Sequence, residues 1–222
     1  PGNNRPTPDS TIHPKANNLG GDLQGITQKI KDGYFEKLGV NTIWISPITT
    51  NAEGAWGLWD NGVKSTFSAY HGYWPTALRS IDNRLGNDAA MKELLSTAHA
   101  KGMNVILDYV AHHVHQDHPL YKQKPEWTTP LYLPDGTMNT ERWDDHRLTT
   151  WFDTFLPTFD FSKPEVVSAL SDTALYWVKK FPIDGFRHDA TKHIQTEFWS
   201  ELTYKIKKER YPKNINFGTY YK

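Results

Sequence analysis

Two charged side chains near residue 187 have types and spacing suited to covalent catalysis. The segment 185–193 reads GFRHDATKH, so Arg187 and Asp189 are two residues apart at the end of an apolar strand predicted over 183–187. Because strand side chains alternate between faces, we expect these two to point the same way. A carboxylate held beside a guanidinium stays ionised at neutral pH and suits nucleophilic attack or stabilisation of a cationic centre. From this stretch alone, a structural ion pair joining strand to helix is an equal alternative.

The composition excludes several partners. The 222 residues include 25 basic and 25 acidic side chains, which gives no electrostatic basis for binding nucleic acid or an anionic membrane. No run of 18 apolar residues predicts a spanning helix. The absence of cysteine excludes disulfide and thiolate chemistry. Aromatic residues make up 14% of the chain, and such rings either stack on sugars or fill a core.

Helices and strands are predicted to alternate along the chain. The periodicity predicts helices over 23–38, 89–100, 164–180 and 194–210, and apolar strands over 40–47, 103–110, 183–187 and 215–218. Asp88 is the expected cap of the second helix, and Ser162 begins a capping box for the third. The segments 48–86 and 111–161 are predicted to be long loops.

This order predicts an α/β fold. Strands that are apolar throughout are typical of a parallel sheet covered on both faces. The long loops follow strands, as they do at the active face of a (β/α)8 barrel. A doubly wound open sheet is the rival, but no Gly-rich phosphate loop follows any strand. We therefore predict part of a (β/α)8 TIM barrel.

Two further groups of residues could belong to a site. Asp108 ends the strand 103–110, and His113 follows it; together they could bind a ligand or form an ordinary hydrogen-bond network at the strand end. The loop 70–75 reads YHGYWP, in which Tyr73 and Trp74 could form a stacking platform or the loop's own small core.

Taken together, six segments resemble the α-amylase family (family 13) of glycoside hydrolases. In family order they are GGDLQG at 20–25, ISPI at 45–48, HGYWP at 71–75, Asp108 with His113, LP at 156–157 before FDF at 159–161, and GFRHDATKH at 185–193. The resemblance implies a (β/α)8 barrel that acts with retention on α-1,4-linked glucans such as starch, maltooligosaccharides or cyclodextrins. Retention requires two carboxyl groups about 5–5.5 Å apart.

The resemblance also implies a role for each matching residue. Asp189 would be the nucleophile, held ionised by Arg187. The residues implied to bind substrate are Tyr73 (stacked under the sugar), Trp74 (close by), Asp108 (supporting the site), His113 (bonded to sugar hydroxyls), and Lys192 and His193 (on the leaving-group side).

One expected part is missing from the pattern. The family places its general-acid Glu at the end of the next strand, where this sequence has Thr219. The family's first strand would precede residue 1, and its third carboxylate would follow residue 222. We therefore expect residues 1–222 to be part of one catalytic barrel domain, truncated at both ends and inactive alone. The alternative is a catalytically dead glucan-binding remnant that lacks the general acid.

Calcium is the cofactor that the resemblance implies. Asn3, Asn4, Gly20 and Asp22 match a first-loop calcium site, which is incomplete here because two further ligands would lie upstream. The family's other calcium site uses an Asn where this chain has His112, and Thr158 replaces a common Asp, so we do not rely on that site.

The histidines that follow the strand 103–110 suggest an alternative function, that of a metal-dependent hydrolase. They are His112, His113, His115 and His118. The spacing of His113 and His115 resembles that of metal-dependent barrel hydrolases, but no other ligand motif accompanies it. Many starch-degrading relatives would favour a periplasmic or secreted location for this protein.

Overall fold

The computed structural model describes residues 8–60, 62–210 and 215–217. Its strands are, in chain order, β1 (Thr42–Ile45), β2 (Thr49–Asn51), β3 (Trp56–Asp60), β4 (Lys64–Phe67), β5 (Pro75–Ile81), β6 (Asn104–Tyr109), β7 (Gly185–His188) and β8 (Ile215–Phe217). Its α-helices are α1 (Leu23–Lys31), α2 (Tyr34–Lys37), α3 (Asp88–Ala100), α4 (Pro119–Gln123), α5 (Pro164–Lys180) and α6 (Thr196–Arg210). Short 3₁₀ turns cover Pro14–Ala16, Pro125–Trp127 and Thr191–His193. None of the helices described is long and apolar enough to cross a bilayer.

Four parallel strands form the sheet that carries the site. They lie in the order β1-β6-β7-β8, and each step from one to the next along the chain passes through a helix. All three pairings are parallel, so the carboxyl ends of the strands meet at one edge. The α/β prediction is therefore confirmed.

The two faces of this sheet differ because side chains alternate along each strand. Val105, Leu107 and Phe186 belong to a buried apolar cluster that also contains Leu94 of α3 and Trp177 of α5. Burying such side chains contributes about 1.5–3 kcal/mol each. The alternate positions of the same strands carry the polar residues of the site. The helices thus hold the strands in place from one face and leave the other face for chemistry.

The prediction that residues 48–86 form a loop was wrong. Strands β2 and β5 pair antiparallel, as do β3 and β4. Both pairings contain register shifts, and the strands are as short as three residues, so no sustained alternation marks them in the sequence. A second small core lies beneath them, formed by Ala52, Ala69, Trp74, Phe155 and Leu156.

The second predicted loop, 111–161, also contains structure. Helix α4 and the 3₁₀ turn Pro125–Trp127 lie within it. The helix predicted over 23–38 is divided into α1 and α2 by Gly33, whose φ of 72° is left-handed. Strand β7 begins and ends later than predicted, and α6 begins two residues later. Gly218, the predicted end of the last strand, lies outside the described residues.

Both predicted helix caps were wrong. Asp88 is the first residue of α3, and the side chain of Asn87 caps the helix by accepting a hydrogen bond from the backbone N–H of Ala90. Helix α5 begins without a side-chain cap, because Ser162 lies one residue too early and its hydroxyl donates to Asp160 instead.

A glycine between β4 and β5 predicts a large difference between two similar substitutions. Gly72 has a φ of +86°, and a Cβ added there would lie 2.6 Å from the backbone oxygen of Pro47. Gly102 has a φ of +70° with nothing within 4 Å of its Cβ position. In urea unfolding, we expect Gly102→Ala to cost about 1 kcal/mol. Gly72→Ala should cost about 2–4 kcal/mol, because the contact adds to the backbone strain. Equal losses would show that the Pro47 contact is unimportant.

Candidate active site

A buried ion pair joins β6 to β7 at the edge where the strands end. The strand register pairs Asp108 with Arg187, which brings residues 79 positions apart in sequence side by side. Arg187 Nη1 lies 2.9 Å from Asp108 Oδ1 and 3.0 Å from Oδ2. The same nitrogen lies 2.9 Å from Asp189 Oδ1. The prediction that Arg187 and Asp189 point the same way is confirmed, and one guanidinium holds both carboxylates.

Asp108 is the buried member of this group. Its side chain is 1% exposed, and it accepts two more hydrogen bonds, from Tyr73 O–H at 2.8 Å and from Trp44 Nε1–H at 3.0 Å. Burial raises the pKa of Asp108, while the donated hydrogen bonds and the charge of Arg187 oppose that rise. With its oxygens surrounded by donors, Asp108 can anchor its neighbours but is poorly placed to attack a ligand.

Asp189 is the accessible carboxylate. Its side chain is 18% exposed, and the only side-chain donor recorded on it in the described structure is Arg187 on Oδ1. The Asp189 backbone N–H donates to Tyr109 O at 3.0 Å. Ala190 follows with a left-handed φ of 50°, which turns the chain sharply away from the sheet. These constraints fix the carboxylate at the strand end and leave Oδ2 free to meet a substrate.

Tyr73 and His113 lie beside this group. The Tyr73 hydroxyl reaches Asp108, and burial together with that hydrogen bond raises the pKa of Tyr73. His113 Nε2–H donates to the Tyr73 backbone oxygen at 2.9 Å, and its Nδ1 lies 3.1 Å from His112 Nδ1. Both ring nitrogens of His113 are therefore engaged within the protein. Burial lowers the pKa of His113. In this arrangement His113 fixes the position of Tyr73 rather than offering a free donor to a sugar.

The remaining residues predicted to bind substrate differ in their burial and in their position relative to Asp189. Trp74 is 8% exposed and packs edge-on against His71 and Phe155 in the second core, so its ring does not reach the open site. Lys192 and His193 lie on the 3₁₀ turn that follows Asp189. His193 is mostly buried, with its Nδ1 2.8 Å from Arg147 O.

Trp44 is a site residue that sequence reasoning missed. Besides its hydrogen bond to Asp108, its ring lies 4.9 Å from the Arg187 guanidinium carbon, within the range of a cation–π contact. Trp44 lies inside an apolar run that predicts a buried strand and gives no separate sign of a site residue. The available signal was alternation: Trp44 lies between the buried Ile43 and Ile45, so it points to the same face as Asp108 and Arg187.

The described residues do not complete either metal site considered from the sequence. Asn3 and Asn4 lie outside the described residues. Asp22 Oδ1 caps α1 by accepting from Gly25 N–H, and Gly20 supplies only backbone oxygen. The four histidines 112, 113, 115 and 118 do not converge, because His115 Nδ1 and His118 Nδ1 each accept a backbone N–H two residues ahead. No group of three metal-ligating side chains occurs in the described part of the chain.

Comparison with known proteins assigns the family. A model described as the alpha amylase catalytic domain matches residues 4–219. The chain belongs to the alpha-amylase catalytic domain family. It is 31% identical over 206 residues to alpha-amylase 2 of Dictyoglomus thermophilum, covering 90% of this chain and 32% of that protein. The intracellular maltogenic amylase of Bacillus subtilis is 29% identical over 202 residues, with 86% and 30% coverage.

Solved structures agree with this assignment. The alpha-amylase of Geobacillus thermoleovorans, solved with acarbose, superposes with a TM-score of 0.76 at 30% identity, covering 95% of this chain and 43% of that one. The parallel sheet described here thus corresponds to part of an amylase (β/α)8 barrel. The chain spans about a third of the length of the curated relatives it matches.

The histidines of this domain predict a loss of stability in mild acid. Burial lowers the pKa of His71, His118 and His188 from 6.5 to about 4. Between pH 6.5 and 4 the unfolded chain therefore binds protons that the folded chain does not, so stability falls as the pH falls. Each such histidine contributes a slope of up to about 1.4 kcal/mol per pH unit.

His188→Gln isolates one of these contributions. His188 is nearly buried, and its Nε2 lies 3.0 Å from Asn216 Oδ1, a contact that a glutamine amide can replace without titrating. Urea unfolding at pH 6.5, 5.8 and 5.0 should show a shallower pH dependence in this variant than in the parent. Identical slopes would refute the burial of a neutral histidine at this position.

Proposed function

We propose that this chain is part of a retaining glycoside hydrolase barrel that acts on α-1,4-linked glucans. The observation that carries the proposal is the accessible Asp189 carboxylate held by Arg187 at 2.9 Å, with its second oxygen open. Family membership supports the substrate class, because relatives of this chain are named alpha-amylases and a maltogenic amylase.

Asp189 would act as the nucleophile. Its free oxygen would attack the anomeric carbon as the glycosidic C–O bond breaks, giving a covalent glycosyl intermediate and sending the bonding electrons to the leaving oxygen. Arg187 holds the attacking carboxylate in a fixed position at 2.9 Å, which reduces the cost of orienting it in the transition state. Water would then attack the same carbon from the side opposite Asp189, giving its proton to the group that protonated the leaving oxygen, as the bond to Asp189 breaks and releases the carboxylate.

The other site residues would orient the sugar and the nucleophile. The Tyr73 ring, fixed at its hydroxyl by Asp108 and at its backbone by His113, would stack under the sugar at the cleavage position. Lys192 and His193, on the 3₁₀ turn after Asp189, would border the leaving-group side.

The proton donor is a separate question. Departure of the leaving oxygen calls for a carboxylic acid, which typically contributes about 10²–10⁴-fold. At the expected position the sequence has Thr219, which lies outside the described residues. Glucan binding without catalysis is the second candidate, and Thr219 is the observation that favours it.

Calcium and domain extent complete the proposal. The first loop would offer Ca²⁺ the Asp22 carboxylate and the Gly20 carbonyl, with Asn3 and Asn4 as further oxygen ligands. Residues 1–222 would be part of one barrel domain. No step of the proposed reaction passes through the ion.

Replacing the nucleophile tests the proposal directly. In the protein that carries this sequence, Asp189→Asn should lower maltohexaose cleavage by at least about 10⁴-fold, because an amide is not a competent nucleophile. Glucan binding, measured by titration calorimetry, should remain. Activity of the Asp189→Asn variant close to that of the parent would show that Asp189 is not the nucleophile. Binding in the parent without any cleavage would favour the glucan-binding candidate.

The Trp44→Phe variant tests whether the hydrogen bond from Trp44 to Asp108 contributes to catalysis. Phenylalanine keeps a ring near Arg187 but removes the N–H that bonds Asp108 at 3.0 Å. We expect kcat to fall about tenfold with little change in KM, since a hydrogen bond to a charged group contributes about 1.5–3 kcal/mol. An unchanged kcat would mean that Arg187 and Asp108 keep their geometry without this donor.

A further inference from the structure

Two residues near Asp189 depart from the calcium site that the resemblance implies. The resemblance leads to the expectation of a calcium ion near position 112, with an Asn at 112 and an Asp at 158 among its ligands. This chain has His112 and Thr158 at those positions.

Neither side chain suits Ca²⁺. The Thr158 side chain is fully buried, and its hydroxyl donates to the Thr150 backbone oxygen at 3.1 Å. His112 is also fully buried; its Nδ1 contacts His113, and its Nε2 has no hydrogen-bond partner in the described structure. Calcium requires six to eight oxygen ligands and takes carboxylates where it can. An imidazole and an occupied hydroxyl do not meet that need.

A cluster of aromatic rings surrounds His112, where the resemblance leads to the expectation of a calcium ion. Phe152 is at its centre, with ring centroids 4.4 Å from His112, 5.3 Å from His113, 5.1 Å from His193 and 4.9 Å from Trp143. His112 and His193 also contact each other, at 5.8 Å. We call these five residues, His112, His113, Trp143, Phe152 and His193, the ring cluster.

The ring cluster joins three segments that are distant in sequence. His112 and His113 follow β6, His193 lies on the 3₁₀ turn after Asp189, and Trp143 and Phe152 belong to the segment 140–152. A hydrogen bond of 2.8 Å between His193 Nδ1 and Arg147 O also joins the turn after Asp189 to segment 140–152. Ring contacts of this kind are favourable beyond the area they bury.

We propose that the ring cluster, rather than a bound cation, fastens segment 140–152 to the end of β6 and to the turn that follows Asp189. The ordering of segment 140–152 and of the turn after Asp189 then does not depend on calcium, even if the first loop binds a calcium ion. The proposal concerns local order and does not depend on which glucan, if any, the protein cleaves.

Hydrogen exchange measured by mass spectrometry tests this segment by segment. In the protein that carries this sequence, peptides covering 140–152 and 189–195 should exchange at the same rate in excess Ca²⁺ and in EDTA. Phe152→Ala should speed exchange of both peptides by tenfold or more. Phe152→Leu, which keeps much of the apolar volume but loses the ring, should give a smaller increase and guards against a variant that does not fold.

Phe155→Ala is the matched control. Phe155 is buried three residues further along, but it packs in the second core against Trp56 and Trp74. Its replacement should leave the peptide 189–195 unchanged. A calcium effect confined to peptides around residues 20–22 would support the proposal, because it would place the cation elsewhere.

Two results would overturn the proposal. One is a tenfold rise in exchange of 140–152 in EDTA that excess Ca²⁺ reverses, which would show that a cation holds the segment. The other is a folded Phe152→Ala protein in which neither peptide exchanges faster. Neither result bears on cleavage, so the outcome is separate from that of the proposed function.

Discussion

The ion pair between Asp108 and Arg187 is the constraint on which the site depends. It joins two parallel strands at their carboxyl ends, and Asp108 is almost completely buried. Breaking a buried pair by removing one partner typically costs about 3–5 kcal/mol, because the other charge is left uncompensated. Oδ2 of Asp108 also accepts hydrogen bonds from Trp44 and Tyr73, so the pair also fixes the β1 tryptophan and the loop tyrosine.

The ion pair with Arg187 also explains how the two carboxylates, Asp108 and Asp189, differ. Both contact the same nitrogen of Arg187, but Asp108 receives donors on both oxygens while Asp189 receives one on Oδ1. A fully satisfied carboxylate serves as an anchor, whereas one with an open oxygen can act on a ligand. The division of roles therefore follows from strand position: Asp108 lies inside β6, and Asp189 lies just beyond the end of β7.

The sequence predicts the parts of this arrangement that depend on local pattern. The sequence pattern alone predicts that Arg187, Asp189 and Asp108 lie near one another. The apolar runs mark the strands, and the carboxyl ends of parallel strands meet at one edge of the sheet. Contacts between distant segments had no such signal. The alternation that turns Trp44 toward the face carrying Asp108 is short, and Phe152 meets its partners through loops without periodicity. The strands β2 to β5 are interrupted by register shifts. The sequence leaves open whether Trp74 is part of a stacking platform or of the loop's own core, and only the structure shows that it packs in the second core.

Trapping the covalent intermediate identifies the carboxylate that attacks the sugar. The protein that carries this sequence would be incubated with a 5-fluoro-α-glucosyl fluoride, digested and mapped by mass spectrometry. We expect a single glycosyl adduct on the peptide that contains Asp189, attached through the Asp189 carboxylate. An adduct on another carboxylate, or steady cleavage of maltohexaose with no adduct on Asp189, would contradict it.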